Sequence, residues 1–289
     1  MGNLKGSLER NNPFAKIFIL LAITLVCVIL ISPVSLLTVT RPDNIDLLKW
    51  LQLIMSVTVI VLPPIVLAYL ISYNPLTFLR LNKKTHLSDI LLVVLIMIVA
   101  IPLINLLGDL NHRMVLPKSL AAIENWMKTS EETAAQFTEK MLNVHTLLGL
   151  SFNVLIIAVV PALGEELFFR GALQGVLKDW KGIRPAIWLS AILFSAIHFQ
   201  FYGFVPRMLM GAFFGYLLFW SENLWLPITA HFTNNVIAII FYYLKLNGFR
   251  VPDIDAVGFG NTLWLGIASG ALTLFGIVQL RRRFATKSL

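Results

Sequence analysis

Apolar residues in this chain gather into long runs, and polar residues fall mostly between them. A run of roughly 20 residues at 1.5 Å per residue crosses a ~30 Å hydrocarbon core as a helix. The pattern predicts an all-α, multi-pass transmembrane helix bundle with about eight spans. They lie near residues 15–38, 50–73, 88–107, 146–175, 185–201, 203–220, 225–244 and 262–280. The fifth and sixth are short and closely joined. No internal repeat divides the series, so residues 1–289 read as a single membrane domain. The longest polar interval, residues 109–145, contains "KSLAAIENWMKTSEETAAQFTEKML". Leu120, Ile123 and Met127 recur there at helical spacing, which predicts an amphipathic helix in an extracytoplasmic loop, with Thr129 or Ser130 as its cap.

Composition agrees: 57% of the 289 residues are hydrophobic and 13% are charged, against roughly a quarter charged in soluble domains. The net charge of +8 suggests nucleic acid in a soluble chain. Here the basic residues follow the topology instead, so no nucleic-acid partner is expected. With an even number of spans, one side of the membrane collects Lys5, Arg10, Lys16, Arg80, Lys83, Lys84, Lys178, Lys181, Arg184 and Arg281 to Arg283. The positive-inside rule makes that side cytoplasmic and places both termini there. The first apolar run is too long for a cleavable leader. A single cysteine, Cys27, excludes an intrachain disulfide and any multi-cysteine metal site.

Charge inside a span is expensive and marks function by default. Three stretches supply it. In "EELFFR", Glu166 and Arg170 are one turn apart and can pair, while Glu165 points about 100° away and stays available. "FSAIH" ends in His198. "HFTNN" sets His231 and Asn235 on one helical face. Pro161 removes a backbone hydrogen bond just before the first stretch and predicts a kink there. Counted from the predicted cytoplasmic ends, Glu165, His198 and His231 lie roughly 15, 20 and 10 Å deep, which points to one cluster in a cavity facing the cytoplasm. A carboxylate beside a histidine can hold and deprotonate water, and a second histidine with an asparagine amide can donate to an oxyanion. Alternatively, His198, His231 and Glu165 could ligate a zinc ion, although the H-E-x-x-H pattern is absent. Blander readings stand beside these. Glu166–Arg170 is foremost a stabilising pair, Phe194 is packing, and a span histidine can simply bond a neighbouring helix. A proton-coupled transporter, or a non-catalytic scaffold or immunity protein, would also place such groups in its spans.

Glu165-Glu166-Leu-Phe-Phe-Arg170, Phe194-Ser-Ala-Ile-His198 and His231-Phe-Thr-Asn-Asn235 together resemble the CPBP family of intramembrane endopeptidases, also called the Abi or type II CAAX prenyl endopeptidase family. The resemblance covers residues 145–244. It implies an intramembrane protease acting on a membrane-associated or prenylated-type peptide or protein, in a bacterial plasma membrane. Glu165 and His198 would activate water, His231 and Asn235 would stabilise the oxyanion, and Glu166 and Arg170 would organise the site. It implies no certain cofactor, leaving zinc as the alternative, and sets neither substrate nor oligomeric state.

Overall fold

The computed structural model describes residues 4–40 and 43–287, and those residues form helices with no strand. In chain order the main helices are α1 (Pro13–Thr40), α2 (Ile45–Ile71), α3 (Leu87–Val99), α4 (Ile101–His112), α5 (Ala121–Leu142) and α6 (Leu147–Lys181). They continue with α7 (Ile183–Ala196), α8 (Phe204–Ser221), α9 (Trp225–Leu246) and α10 (Leu263–Lys287). Each predicted span is occupied by helix, yet not every one meets the demands of a membrane crossing. α1, α2, α6, α8 and α10 are long and apolar enough alone, and α3 with α4 adds a sixth span bent by 42°. The expected count of about eight is therefore not reached by length and composition. α7 has 14 residues, about 21 Å of helix. α9 has 22, but His231, Asn234 and Asn235 dilute its apolar character.

The core lies where α6 meets its neighbours. Leu167, Phe169, Ala172 and Val176 of α6 pack with Leu20 of α1, Leu67 and Ile71 of α2, and Leu218 of α8. A second cluster joins Val93 and Met97 of α3, Phe214 and Leu217 of α8, Ala230 of α9, and Leu280 of α10. The outer helices present bare apolar faces: Phe18, Leu25, Ile29 and Leu30 on α1, and Trp264, Ile267, Leu274 and Phe275 on α10 are all exposed. Water does not tolerate apolar surface on that scale, whereas lipid does. This is an integral membrane protein.

Prolines account for three of the irregular stretches of backbone. A proline offers no N–H and its ring crowds the carbonyl four residues back. In α2 a widened π turn, Val57–Val61, precedes Pro63 and Pro64; in α6 another, Val154–Val159, precedes Pro161. Between α3 and α4 the break at Ala100 precedes Pro102, and Ser269 of α10 enters it. Its hydroxyl donates to Val99 O at 2.5 Å and accepts from Leu103 N at 3.1 Å. One side chain thus replaces a missing helical bond from both ends.

The two ends of the bundle differ. At one end the segment 80–85 is tied to the turn after α8: Lys83 meets Glu222 at 2.8 Å, and Leu224 N donates to Arg80 O at 2.9 Å. The hydrogen bond from Lys83 holds the Glu222 carboxyl below its ordinary value. Arg283 of α10 pairs with Asp89 at the start of α3 on this same end. The other end carries α5, which forms as expected but begins eight residues before its predicted cap. Thr129 lies mid-helix, its hydroxyl bonded back to Asn125 O at 3.0 Å, so it caps nothing.

Ser269→Ala should leave the Val99 carbonyl and the Leu103 amide unpaired in an apolar surround. The expected cost is about 1–3 kcal/mol, read as a lowered unfolding midpoint of the purified protein in detergent micelles.

Candidate active site

α6 brings the first motif into the centre of the bundle on a π turn, Glu166–Leu173, every residue of which is buried. Glu166 and Arg170 are sealed from solvent, and Arg170 Nη1 donates to Glu166 Oε1 at 2.9 Å. The same Glu166 oxygen faces His231 Nδ1 at 2.9 Å. A carboxylate accepts, so His231 Nδ1 carries the proton and its Nε2 is left facing Glu165 Oε2 at 3.8 Å. Arg170 Nη2 also donates to Gly211 O at 3.0 Å, and the guanidinium lies 4.3 Å from the centre of the Phe194 ring. A Cβ at Gly211 would sit 2.9 Å from Arg170 Nη2, so this close approach needs glycine.

His198 comes from the turn that follows α7. Its Nδ1 lies 2.8 Å from Phe194 O, an acceptor only, so Nδ1 is again the donor and Nε2 faces Glu165 Oε2, here at 4.0 Å. Phe194 stands edge-on to both imidazoles, and Phe214 stacks on His231 with ring centres 5.5 Å apart. Phe194 therefore packs, as expected, but what it packs is the site: a cation on one side and two imidazoles on the other. Asn235 enters from α9 one turn beyond His231. Its amide donates to Ile157 O at 3.2 Å, the carbonyl four residues before Pro161 that the proline cannot bond.

All the motif residues expected from the sequence thus converge, with Glu166–Arg170 beneath and Glu165, His198, His231 and Asn235 lining one cavity of about 460 Å³. Glu165 has 17% and His198 27% of its side chain exposed, enough for a small molecule to reach them. Two corrections follow. The cavity is bounded by Phe137, Thr138 and Met141 of α5 and by Gln200, so it opens toward the α5 end of the bundle rather than toward the basic end. Depths measured from predicted span ends misplaced it: α7 is only 14 residues long, so His198 reaches the far end, and Glu165 lies midway along the 35 residues of α6. Sequence reading also missed Gln52 and Arg207, which line the same cavity, as does Asn234, the equally polar neighbour that the motif pattern alone sets aside. A polar residue beside a motif, or one near a span end, gives no separate signal.

A zinc ion fits this arrangement poorly. Tetrahedral ligands 2.0–2.2 Å from zinc stand about 3.4 Å from one another, and Glu165 stands 3.8 and 4.0 Å from the two imidazole nitrogens. Among the described residues no group of three or more His, Cys, Asp or Glu side chains is placed to hold a metal ion. Those separations exceed a direct hydrogen bond but suit a bridging water, which at about 2.8 Å can donate one hydrogen to Glu165 and the other to an imidazole Nε2.

Comparison with known proteins agrees with the motif reading. The type II CAAX prenyl endopeptidase Rce1-like family matches residues 147–237, from the start of α6 into α9. An uncharacterized protein of Bacillus subtilis (strain 168), YpbD, is 27% identical over 84 residues, covering 28% of this chain and 40% of that protein. No solved structure matches the chain.

Removing Glu166 as Glu166→Ala would strand the buried Arg170 cation. The expected loss of stability is about 3–5 kcal/mol, measured by denaturant unfolding in micelles. Glu165→Gln, at a cavity wall and of equal shape, should cost far less in the same measurement.

Proposed function

We propose that this chain, whose residues 147–237 match the type II CAAX prenyl endopeptidase Rce1-like family, hydrolyses a peptide bond of a membrane-associated peptide or protein. The observation that carries this reading is Glu165 Oε2 facing two imidazole Nε2 atoms, both free of protons in the neutral rings, inside one cavity. Water held between them loses a proton to Glu165 as its oxygen adds to the scissile carbonyl. His198, fixed by its bond to Phe194 O, orients that water through Nε2. His231 serves the oxyanion when it has taken a second proton from solvent before the step, since only then does Nε2 donate; it keeps that proton throughout, while the proton released by water goes to Glu165 alone. The Glu166 carboxylate behind it holds the ring by Nδ1 in the orientation that keeps Nε2 on the cavity side. Asn235 keeps one amide hydrogen beyond its bond to Ile157 O and offers it to the same oxyanion. When the tetrahedral intermediate collapses, the C–N bond breaks and the departing amine takes the proton from Glu165. Each atom is accounted for, and no step passes through a metal.

The membrane-spanning helices around the site and the family's name support one substrate class: a peptide presented at or within the bilayer, prenylated tails among the candidates. Glu165→Gln should insert and purify as the wild type does but lose at least about 1,000-fold in cleavage. Peptidomics of membranes containing either protein would reveal the substrate as the peptide that only the wild type shortens. Full activity in Glu165→Gln would overturn the mechanism. Exhaustive dialysis against a chelator should leave the wild-type rate unchanged; a rate lost on dialysis and restored by zinc would overturn the metal-free route.

A further inference from the structure

Arg207, in the first turns of α8, contributes a cation to the wall of the same cavity. Its guanidinium is held from one side by Gln200: Nη2 donates to Gln200 Oε1 at 2.6 Å and Nη1 to Gln200 O at 3.3 Å. The hold is prepared by the turn around it. A Cβ at Gly203 would sit 3.1 Å from Nη2, so glycine there makes room for the fork. Asn111 of α4, itself buried, donates to Phe201 O at 3.1 Å and accepts from Val205 N at 2.7 Å, fixing the turn in place.

What Arg207 lacks is an anion in direct contact. No carboxylate lies within 4.0 Å of it among the described residues, and its only side-chain partner is a neutral amide. Glu131 on α5 and Glu165 across the cavity are both felt electrostatically, yet neither closes into a pair with Arg207, and Glu131 Oε2 is buried without a hydrogen bond. An unpaired cation at membrane depth is expensive. A guanidinium oriented by two hydrogen bonds, with three N–H groups remaining, is suited to a planar, bidentate acceptor.

We propose that Arg207 is the carboxylate-binding subsite of this cavity, holding an acid group of the peptide beside the bond to be cut. The proposal rests on the peptidase reading for its ligand, a peptide. It names the feature by which that ligand is selected: either a free C-terminal carboxylate or an acidic side chain near the scissile bond. Such a contact draws the substrate's own charge to the protein's spare one and sets the register in which the scissile carbonyl meets Glu165.

Binding tests this without requiring turnover. Full-length protein with Glu165→Gln, in phosphatidylcholine nanodiscs, is titrated with one fluorescent apolar dodecapeptide in several forms. One has a free C-terminal carboxylate, one a C-terminal amide, and a set of amides carries a single glutamate moved along the chain. At least one acid form should bind about tenfold more tightly than the amide, and whichever form does so identifies the source of the carboxylate. Adding Arg207→Gln should erase that advantage while leaving affinity for the amide unchanged, and Arg207→Lys should keep part of it. Equal affinity of all forms for the parent protein overturns the proposal whatever the variants do; so does an advantage that survives Arg207→Gln. If acid forms are preferred but the wild type cuts none of them, the peptidase reading fails while the subsite stands.

Discussion

The site depends on one carboxylate oxygen. Glu166 Oε1 is shared by Arg170 and His231, each at 2.9 Å, with no solvent to share the charge. In such a place an ion is tolerable only while its partners hold, because losing either leaves a bare charge in a low dielectric. The arrangement is correspondingly rigid. Arg170 cannot leave without abandoning Gly211 O and the Phe194 ring, so α6 is keyed to α7 and α8. His231 cannot rotate without abandoning Glu166, so α9 is keyed to α6. Rigidity here becomes chemistry: the proton on Nδ1 is committed downward, and Nε2 is thereby presented to Glu165.

The rest of the site is assembled where regular helix fails. Pro161 leaves Ile157 O without its usual donor, and Asn235 docks there, which anchors the amide at the cavity wall. The π turn at Glu166–Leu173 puts two charged residues on a stretch that is buried on every side. Ser269 repairs the α3–α4 break from a distant helix. In a membrane each freed carbonyl must find a partner within the protein, so every break dictates a contact, and those contacts set the relative positions of the helices.

This physics also explains what the sequence disclosed. Glu165, Glu166, Arg170, His198, His231 and Asn235 stand out because charge and amide are costly in apolar runs, and a four-residue spacing on a helix already pairs Glu166 with Arg170. Pro161 announces its own disturbance. Arg207 stayed hidden because a basic residue near the start of a span reads as an interfacial anchor, and only the fold places it beside Glu165. The direction of the cavity was hidden for a related reason: a period reveals a helix's face but not how far its ends run, and the shortness of α7 decides where His198 lies. Thr129 misled because the residue type that caps a helix also bonds back within one.

Two cavities approach the shared carboxylate from opposite ends of the bundle. Glu165 and His231 border the one under α5; Arg170 and Gln174 border another of about 420 Å³, beside Arg80, Lys178 and Glu222 at the basic end. A polar line through the membrane would serve a transporter if every group along it could release and regain a proton. This line passes through a guanidinium, which keeps its protons, and that guanidinium is clamped by Glu166, by Gly211 O and by an aromatic ring. The ion pair therefore acts as a floor beneath Glu165. It closes the Glu165 cavity from the basic end, an arrangement that favours the proposed hydrolysis over a proton-coupled transporter.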